Sequence, residues 1–85
     1  MFSKELFGQR ILEQRKKSGE TQKALAKVLG VGDTQVLEIE HGRATTSAER
    51  IALICQHYNI SADYLLGLTD EPKPHKRKKP NKNLP

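Results

Sequence analysis

Apolar residues recur at intervals of three and four along residues 1–70, and no stretch alternates with period two. The pattern predicts helices and no strands. Ser3 is placed to cap a first helix running to about Lys17, with Phe7, Ile11, Gln14 and Arg15 on one face and Ser18-Gly19 as its stop. Thr21 caps a second helix that turns Leu25, Ala26 and Leu29 inward, and Gly30-Val31-Gly32 forms a tight turn. A third helix starts near Asp33, points Val36 and Ile39 inward and ends at Gly42. Thr46 and Glu49 have capping-box spacing for a fourth helix, with Ile51, Ile54, Cys55 and Tyr58 inward and Asn59-Ile60 as its break. Ser61 caps a short fifth helix containing Tyr64, Leu65 and Leu66, which ends at Gly67. Short helices with short connections predict a compact all-α domain over residues 1–70.

The pattern stops near Asp70. Residues 71–85 read EPKPHKRKKPNKNLP, with four prolines, one apolar side chain (Leu84) and six positive charges. Such a segment cannot bury enough surface to offset its ordering entropy, so a disordered basic tail is expected over 71–85. Residues 1–70 hold nine Lys/Arg and nine Asp/Glu, so the net charge of +5 sits wholly in the tail. Any inference from charge to nucleic acid therefore concerns the tail, whose run His75-Lys76-Arg77-Lys78-Lys79 suits a phosphate backbone, another anionic partner or a solubilising role. The low apolar fraction of 35% agrees with a chain that is only partly packed. No apolar run reaches membrane-spanning length, and Ser3, Lys4 and Glu5 interrupt any apolar signal stretch. A single cysteine excludes an internal disulfide and a cysteine zinc cage. The expected setting is the cytoplasm, with no membrane partner and no cofactor.

The second and third helices, joined by three residues with two glycines, have the outline of a helix-turn-helix. The residues carry more than the outline. Arg15-x-x-x-Gly19-x-Thr21-Gln22-x-x-Leu25-Ala26 and then Leu29-Gly30-Val31 match the opening and turn of the Cro/C1-type (XRE-like) helix-turn-helix family. Val36-x-x-Ile39-Glu40-x-Gly42-Arg43 resembles the end of its recognition helix, and Asn59-Ile60-Ser61-x-Asp63-Tyr64-Leu65-Leu66-Gly67 is similar to its last helix. The resemblance covers about residues 7–69. It implies a five-helix, lambda-repressor-like DNA-binding domain of the kind found in bacterial and phage repressors.

By position, the resemblance also assigns roles. Gln22 matches a residue that contacts a DNA phosphate, in agreement with the positive first turn of a helix. Asp33, Thr34, Leu37 and Glu38 match base-reading positions, with Gln35 nearer the backbone or a base edge. Thr34 and Leu37 suit a thymine methyl, Asp33 or Glu38 suits cytosine N4, and Gln35 suits adenine. Gly32, also counted at the DNA surface, stands where the family usually has Ser or Thr. That leaves Asp33 open as either base reader or N-cap. His41 and Arg43 match positions that meet phosphates. Arg15 and Glu40 match a pair that ties the first helix to the third. Lys23 and Lys27, four apart on one face of the second helix, form a positive rim with Lys16 and Lys17. Glu20 and Gln14 stand where apolar residues are expected and soften the core.

Two classes of function stay open. The first is a sequence-specific binder of double-stranded DNA, a transcriptional regulator of phage, mobile-element or toxin–antitoxin type, acting as a homodimer on a palindrome. The second is a protein-interaction module that keeps the fold with little base reading, motivated by the acidic third helix (Asp33, Glu38, Glu40). A nucleic-acid binder driven by the tail alone is a third, weaker reading. Leu65, Leu66 and Leu68 either form a two-fold contact or close the core against Phe7 and Ile11. No enzymatic constellation is visible. His41, His57 and His75 lack metal-ligand spacing, and Cys55 reads as a small core residue.

Overall fold

Ser3, Thr21, Ser47 and Ser61 each accept a hydrogen bond on the side-chain oxygen from the backbone N–H three residues ahead. Each contact satisfies an N–H that a helix start leaves without a partner. In the computed structural model, which describes residues 1–74, these contacts open four of five α-helices. The helices are α1 (Lys4–Lys17), α2 (Gln22–Leu29), α3 (Asp33–Glu40), α4 (Ala48–Tyr58) and α5 (Ala62–Leu65). No strand forms among the described residues. The run His75–Lys79 and the rest of the expected tail from residue 75 onward lie outside them.

The expected cap of α4 is corrected by one residue. Thr45, Thr46 and Ser47 stand in a row, and it is Ser47 Oγ that accepts from Arg50 N at 3.2 Å. Thr46 instead turns inward, and its Oγ1 is buried without a hydrogen-bond partner among the described residues. Valine has nearly the same shape and no hydroxyl to desolvate. Thr46→Val is therefore expected to stabilise the domain by about 1 kcal/mol. The urea midpoint should rise at unchanged slope; a lowered midpoint would mean the hydroxyl is satisfied in solution.

The core forms where the helices meet. α1 contributes Phe7 and Ile11, α2 contributes Leu25, Ala26 and Leu29, and α3 contributes Val36 and Ile39. Ile54 and Cys55 of α4, with Ile60, Tyr64 and Leu65, close it from the other end. α1 packs on α3 and α5, and α2 packs on α3 and α4. The three leucines near the domain end separate: Leu65 is fully buried in this cluster, Leu66 is half-buried, and Leu68 is 74% exposed. Leu65 therefore closes the core and offers nothing to a two-fold contact.

Arg10, which the sequence reading passed over, is buried on the same face of α1 as Phe7 and Ile11. Its Nη1 donates to the carbonyl of Tyr64 and, at 2.8 Å, to that of Thr69. Its Nη2 donates to Asp70 Oδ1 at 2.8 Å, and the guanidinium lies 4.1 Å from the centre of the Tyr64 ring. One arginine thus caps α5 and holds the segment after it, consistent with the strength of charge-assisted bonds to carbonyl and carboxylate. Just beyond, Ser61 N donates to the Pro72 carbonyl at 3.0 Å. The chain is therefore tied to the domain two residues past Asp70.

Candidate nucleic-acid interface

The turn between α2 and α3 is set by backbone geometry. Gly30 ends α2 in the left-handed conformation (φ 70°, ψ 34°), which an L side chain adopts only at a cost. Val31 N then donates to the Ala26 carbonyl at 3.0 Å, and Val31 packs against the core. Gly32 is extended (φ −83°, ψ 160°), and its carbonyl accepts from Gln35 N at 3.1 Å. Gly32 is therefore the N-cap of α3, without a side-chain contact. This corrects the alternative role of Asp33, which is the first helical residue and only places a negative charge in the first turn.

The inward side of α3 is Val36, Ile39 and Glu40. The burial of Glu40 accounts for one of the three acids in this helix. Its carboxylate accepts from Arg15 Nε at 2.6 Å and Nη2 at 3.0 Å, and from Gln22 Nε2 at 2.9 Å. The side chain of Glu40 is only 1% exposed and that of Arg15 12%. Hydrogen bonding to Glu40 holds the Arg15 guanidinium above its already high ordinary pKa, although burial opposes the shift. Arg15 Nη1 also donates to the Glu20 carbonyl at 2.8 Å. One guanidinium thus joins α1, the α1–α2 turn and α3.

Glu20 does not soften this corner as a lone charge. Its Oε2 accepts from His57 Nε2 at 2.7 Å, which ties the turn to α4. The Tyr58 hydroxyl and Glu20 Oε1 are buried side by side without a closed hydrogen bond between them. Burial alone would push the Glu20 carboxyl up. The neighbouring Tyr58 hydroxyl, His57 and the charge of Arg15 outweigh it and hold it below the ordinary carboxylate range. Burial first, and then Glu20, push the Tyr58 phenol above its ordinary value.

Facing outward on α3 are Asp33, Thr34 and Gln35, all exposed, with Leu37 and Glu38 half-buried. Thr34, Leu37, Glu38 and His41 follow one another at the spacing of a single helix face. Arg43 leaves the helix end and returns to that face. Its Nε donates to Glu38 Oε2 at 2.7 Å and its Nη2 to Glu38 Oε1 at 3.1 Å, and Nη2 also lies 3.1 Å from His41 Nδ1. Hydrogen bonding to Arg43 holds Glu38 below the carboxylate range, and the same contact holds Arg43 above its ordinary value. Two expected DNA contacts are thus partners of each other. Asp33, Glu38 and Arg43 leave the outward side of α3 with one net negative charge.

Gln22 is the first residue of α2, so its backbone N–H lies at the positive end of that helix while its carboxamide serves Glu40. Lys16, Lys17, Lys23 and Lys27 are exposed. Gly32 has open space where a Cβ would stand, so its backbone can be approached closely. Gln22, Arg15 and Glu40 form one cluster, and Glu38, His41 and Arg43 form another. Among the described residues no hydrogen bond or ion pair joins Lys23 or Lys27 to either. Sequence reasoning missed the Gln22–Glu40 and Glu38–Arg43 bonds. A Glu and an Arg five apart across a glycine carry the only signal for the second. Among the described residues no group of three His, Cys, Asp or Glu is arranged to hold a metal, and no helix is long and apolar enough to cross a membrane.

A short helix, a glycine turn and a second helix locked to α1 by a buried ion pair define a helix-turn-helix protein. The helix-turn-helix domain family matches residues 8–71. The HTH-type transcriptional regulator ImmR of Bacillus subtilis (strain 168) is 31% identical over 77 residues, covering 91% of this chain and 61% of ImmR. This chain therefore spans less than two thirds of that relative. The uncharacterized HTH-type transcriptional regulator YazB of the same organism is 43% identical over 61 residues, covering 72% of this chain and 88% of YazB. The P22 c2 repressor, crystallised with a synthetic operator, shares the fold with a TM-score of 0.68. It is 33% identical and covers 72% of this chain and 92% of its own. The chain belongs to the Cro/C1-type helix-turn-helix family, and its fold is lambda-repressor-like.

Proposed function

We propose that this chain binds double-stranded DNA sequence-specifically and regulates transcription, as a repressor of phage, mobile-element or toxin–antitoxin type. The observation that carries the reading is the division of α3. Val36, Ile39 and Glu40 are buried in the scaffold, while Thr34, Leu37 and Glu38, which the resemblance matches to base-reading positions, and Gln35 beside them face away from it. The structural neighbour bound to an operator supports it. In this reading α3 enters the major groove, the first turn of α2 at Gln22 faces a phosphate, and Lys23, Gly32, Asp33 and His41 flank the groove. The chain acts as a homodimer with half-sites about 34 Å apart. The basic tail adds sequence-independent affinity, about 0.9 in the log–log salt slope per phosphate neutralised. Its place of action is the cytoplasm, and no cofactor or membrane is involved.

The test is selection from random duplexes at near-physiological salt, followed by affinity measurements on the enriched site. Thr34→Ala is expected to weaken the enriched site by several-fold or more and to relax one position, consistent with about 1–3 kcal/mol for a good base contact. It touches no structural bond, unlike Gln22→Ala, which also removes a donor from Glu40. The reading is rejected if no sequence is enriched, or if Thr34→Ala binds the enriched site as tightly and as selectively as wild type. One observation favours a protein partner instead: the net negative charge of the outward side of α3. Under that reading wild type enriches no duplex, and Thr34→Ala disturbs a protein complex.

A further inference from the structure

Arg43 is fixed to Glu38 by both its backbone and its side chain. Gly42 turns the chain at φ +76°, and Arg43 N donates to the Glu38 carbonyl at 2.9 Å. The guanidinium then comes back onto the Glu38 carboxylate through Nε and Nη2. An arginine held in this way has already lost the rotamer freedom that a solvated arginine would lose on binding. Glu38 and Arg43 are 37% and 55% exposed, so the pair remains open to a ligand.

The pair keeps unused hydrogen-bonding capacity. Each carboxylate oxygen has two lone pairs, and the guanidinium takes one from each. Arg43 Nη1 carries two N–H groups that make no hydrogen bond to any described residue. The outer edge therefore offers acceptors beside donors. In the major groove a C·G pair presents the complement, the cytosine N4 amino group beside guanine O6 and N7. An A·T pair instead places the adenine amino group between two acceptors and adds the thymine methyl.

We infer that the Glu38–Arg43 ion pair reads one C·G base pair as a unit. Glu38 accepts from cytosine N4, and Arg43 Nη1 donates to guanine. The inference rests on the DNA-binding reading above and deepens it. It moves Arg43 from a phosphate position to a base edge. It also explains how an acidic residue is tolerated at a base-reading position of a helix that must approach a polyanion. The partner cancels the charge that would be repelled, and the same pairing withholds Arg43 from phosphates at unrelated sequences.

The experiment selects random duplexes with the full chain, then measures Kd on the enriched site and on every single-base-pair change of it. It does so for wild type, Glu38→Gln and Arg43→Gln. Arg43 is exposed and Glu38 only half-buried, and a circular dichroism spectrum matching wild type confirms that the variants fold. The expected result is one C·G pair whose replacement weakens wild type roughly ten- to hundred-fold, in line with other specific base contacts. Either variant should reduce that penalty to about threefold or less, and penalties at the other positions should stay. Equal weakening at all sequences in Arg43→Gln, with the salt slope lower by about 0.9, would make Arg43 a phosphate contact and overturn the inference. Equal tightening at all sequences in Glu38→Gln would reduce the pair to a charge mask and overturn it too. So would an enriched site in which no C·G pair responds to either variant. If wild type enriches nothing, the DNA-binding reading itself falls and takes the inference with it.

Discussion

Replacing Arg15 with alanine is expected to lower the unfolding free energy by about 3–5 kcal/mol, because it strands a buried carboxylate. In the wild type, Glu40 takes three hydrogen bonds, two of them from Arg15. Among the described residues, Arg15→Ala leaves the Gln22 amide as the one remaining donor to a side chain that is 1% exposed. The same change removes the bond from Arg15 Nη1 to the Glu20 carbonyl, which closes the turn into α2. A domain of this size has a total stability of roughly 4–11 kcal/mol, so the loss is a large fraction of it. Urea unfolding followed by circular dichroism measures it directly.

The cause can be separated from mere loss of packing. Arg15→Lys keeps the charge but cannot donate through a planar fork to both carboxylate oxygens and a carbonyl. It is expected to recover less than half of the loss. Arg15→Met with Glu40→Leu removes both charges together and is expected to lie close to wild type, since well-packed apolar residues often replace a buried pair without penalty. If the double variant is as unstable as Arg15→Ala, the stranded-charge account is wrong.

The Arg15–Glu40 pair also marks how far the sequence could be read. The apolar spacing located all five helices, because an i, i+3, i+4 stripe depends only on local order. The start of α4 was misplaced because Thr46 and Ser47 are equally good caps locally. Packing, which turns Thr46 inward, decides between them. Arg10 was passed over although it sits between Phe7 and Ile11 on the buried face of α1. Its partners Tyr64, Thr69 and Asp70 lie 54 to 60 positions away, and no local pattern announces them. At the candidate interface the positions proposed to read bases rest on the family resemblance, and the apolar spacing of α3 turns the same residues away from the core. The bond between Glu38 and Arg43 did not, because it depends on the left-handed turn at Gly42. The acidity of α3, which opposes approach to a polyanion, is partly resolved by geometry. Glu40 is inside, and Glu38 is matched by a guanidinium.

Gly8→Ala should be strongly destabilising even though alanine favours a helix interior over glycine by about 1 kcal/mol. Gly8 lies on the buried face of α1, where that helix crosses the end of α3. A Cβ added there would stand 2.0 Å from the Ile39 carbonyl oxygen and 3.1 Å from the carbonyl carbon and oxygen of Glu40. All three atoms belong to backbone, so no side-chain rotation can relieve the clash. α1 would have to lift from α3, opening the packing of Phe7 and Ile11. Arg15 lies seven residues farther along α1, about 10 Å at helical rise, so the same tilt would pull on its bond to Glu40. Overpacking alone costs about 1–3 kcal/mol, and the strained ion pair should take the total to the top of that range or above. Gln9→Ala, at the neighbouring exposed position, is the control and should change stability by no more than about 0.5 kcal/mol. Matched urea melts of the two variants decide the matter. A Gly8→Ala domain as stable as wild type would mean that α1 and α3 do not approach so closely in solution. The placement of α3 by α1, on which the proposed reading of DNA depends, would then need another basis.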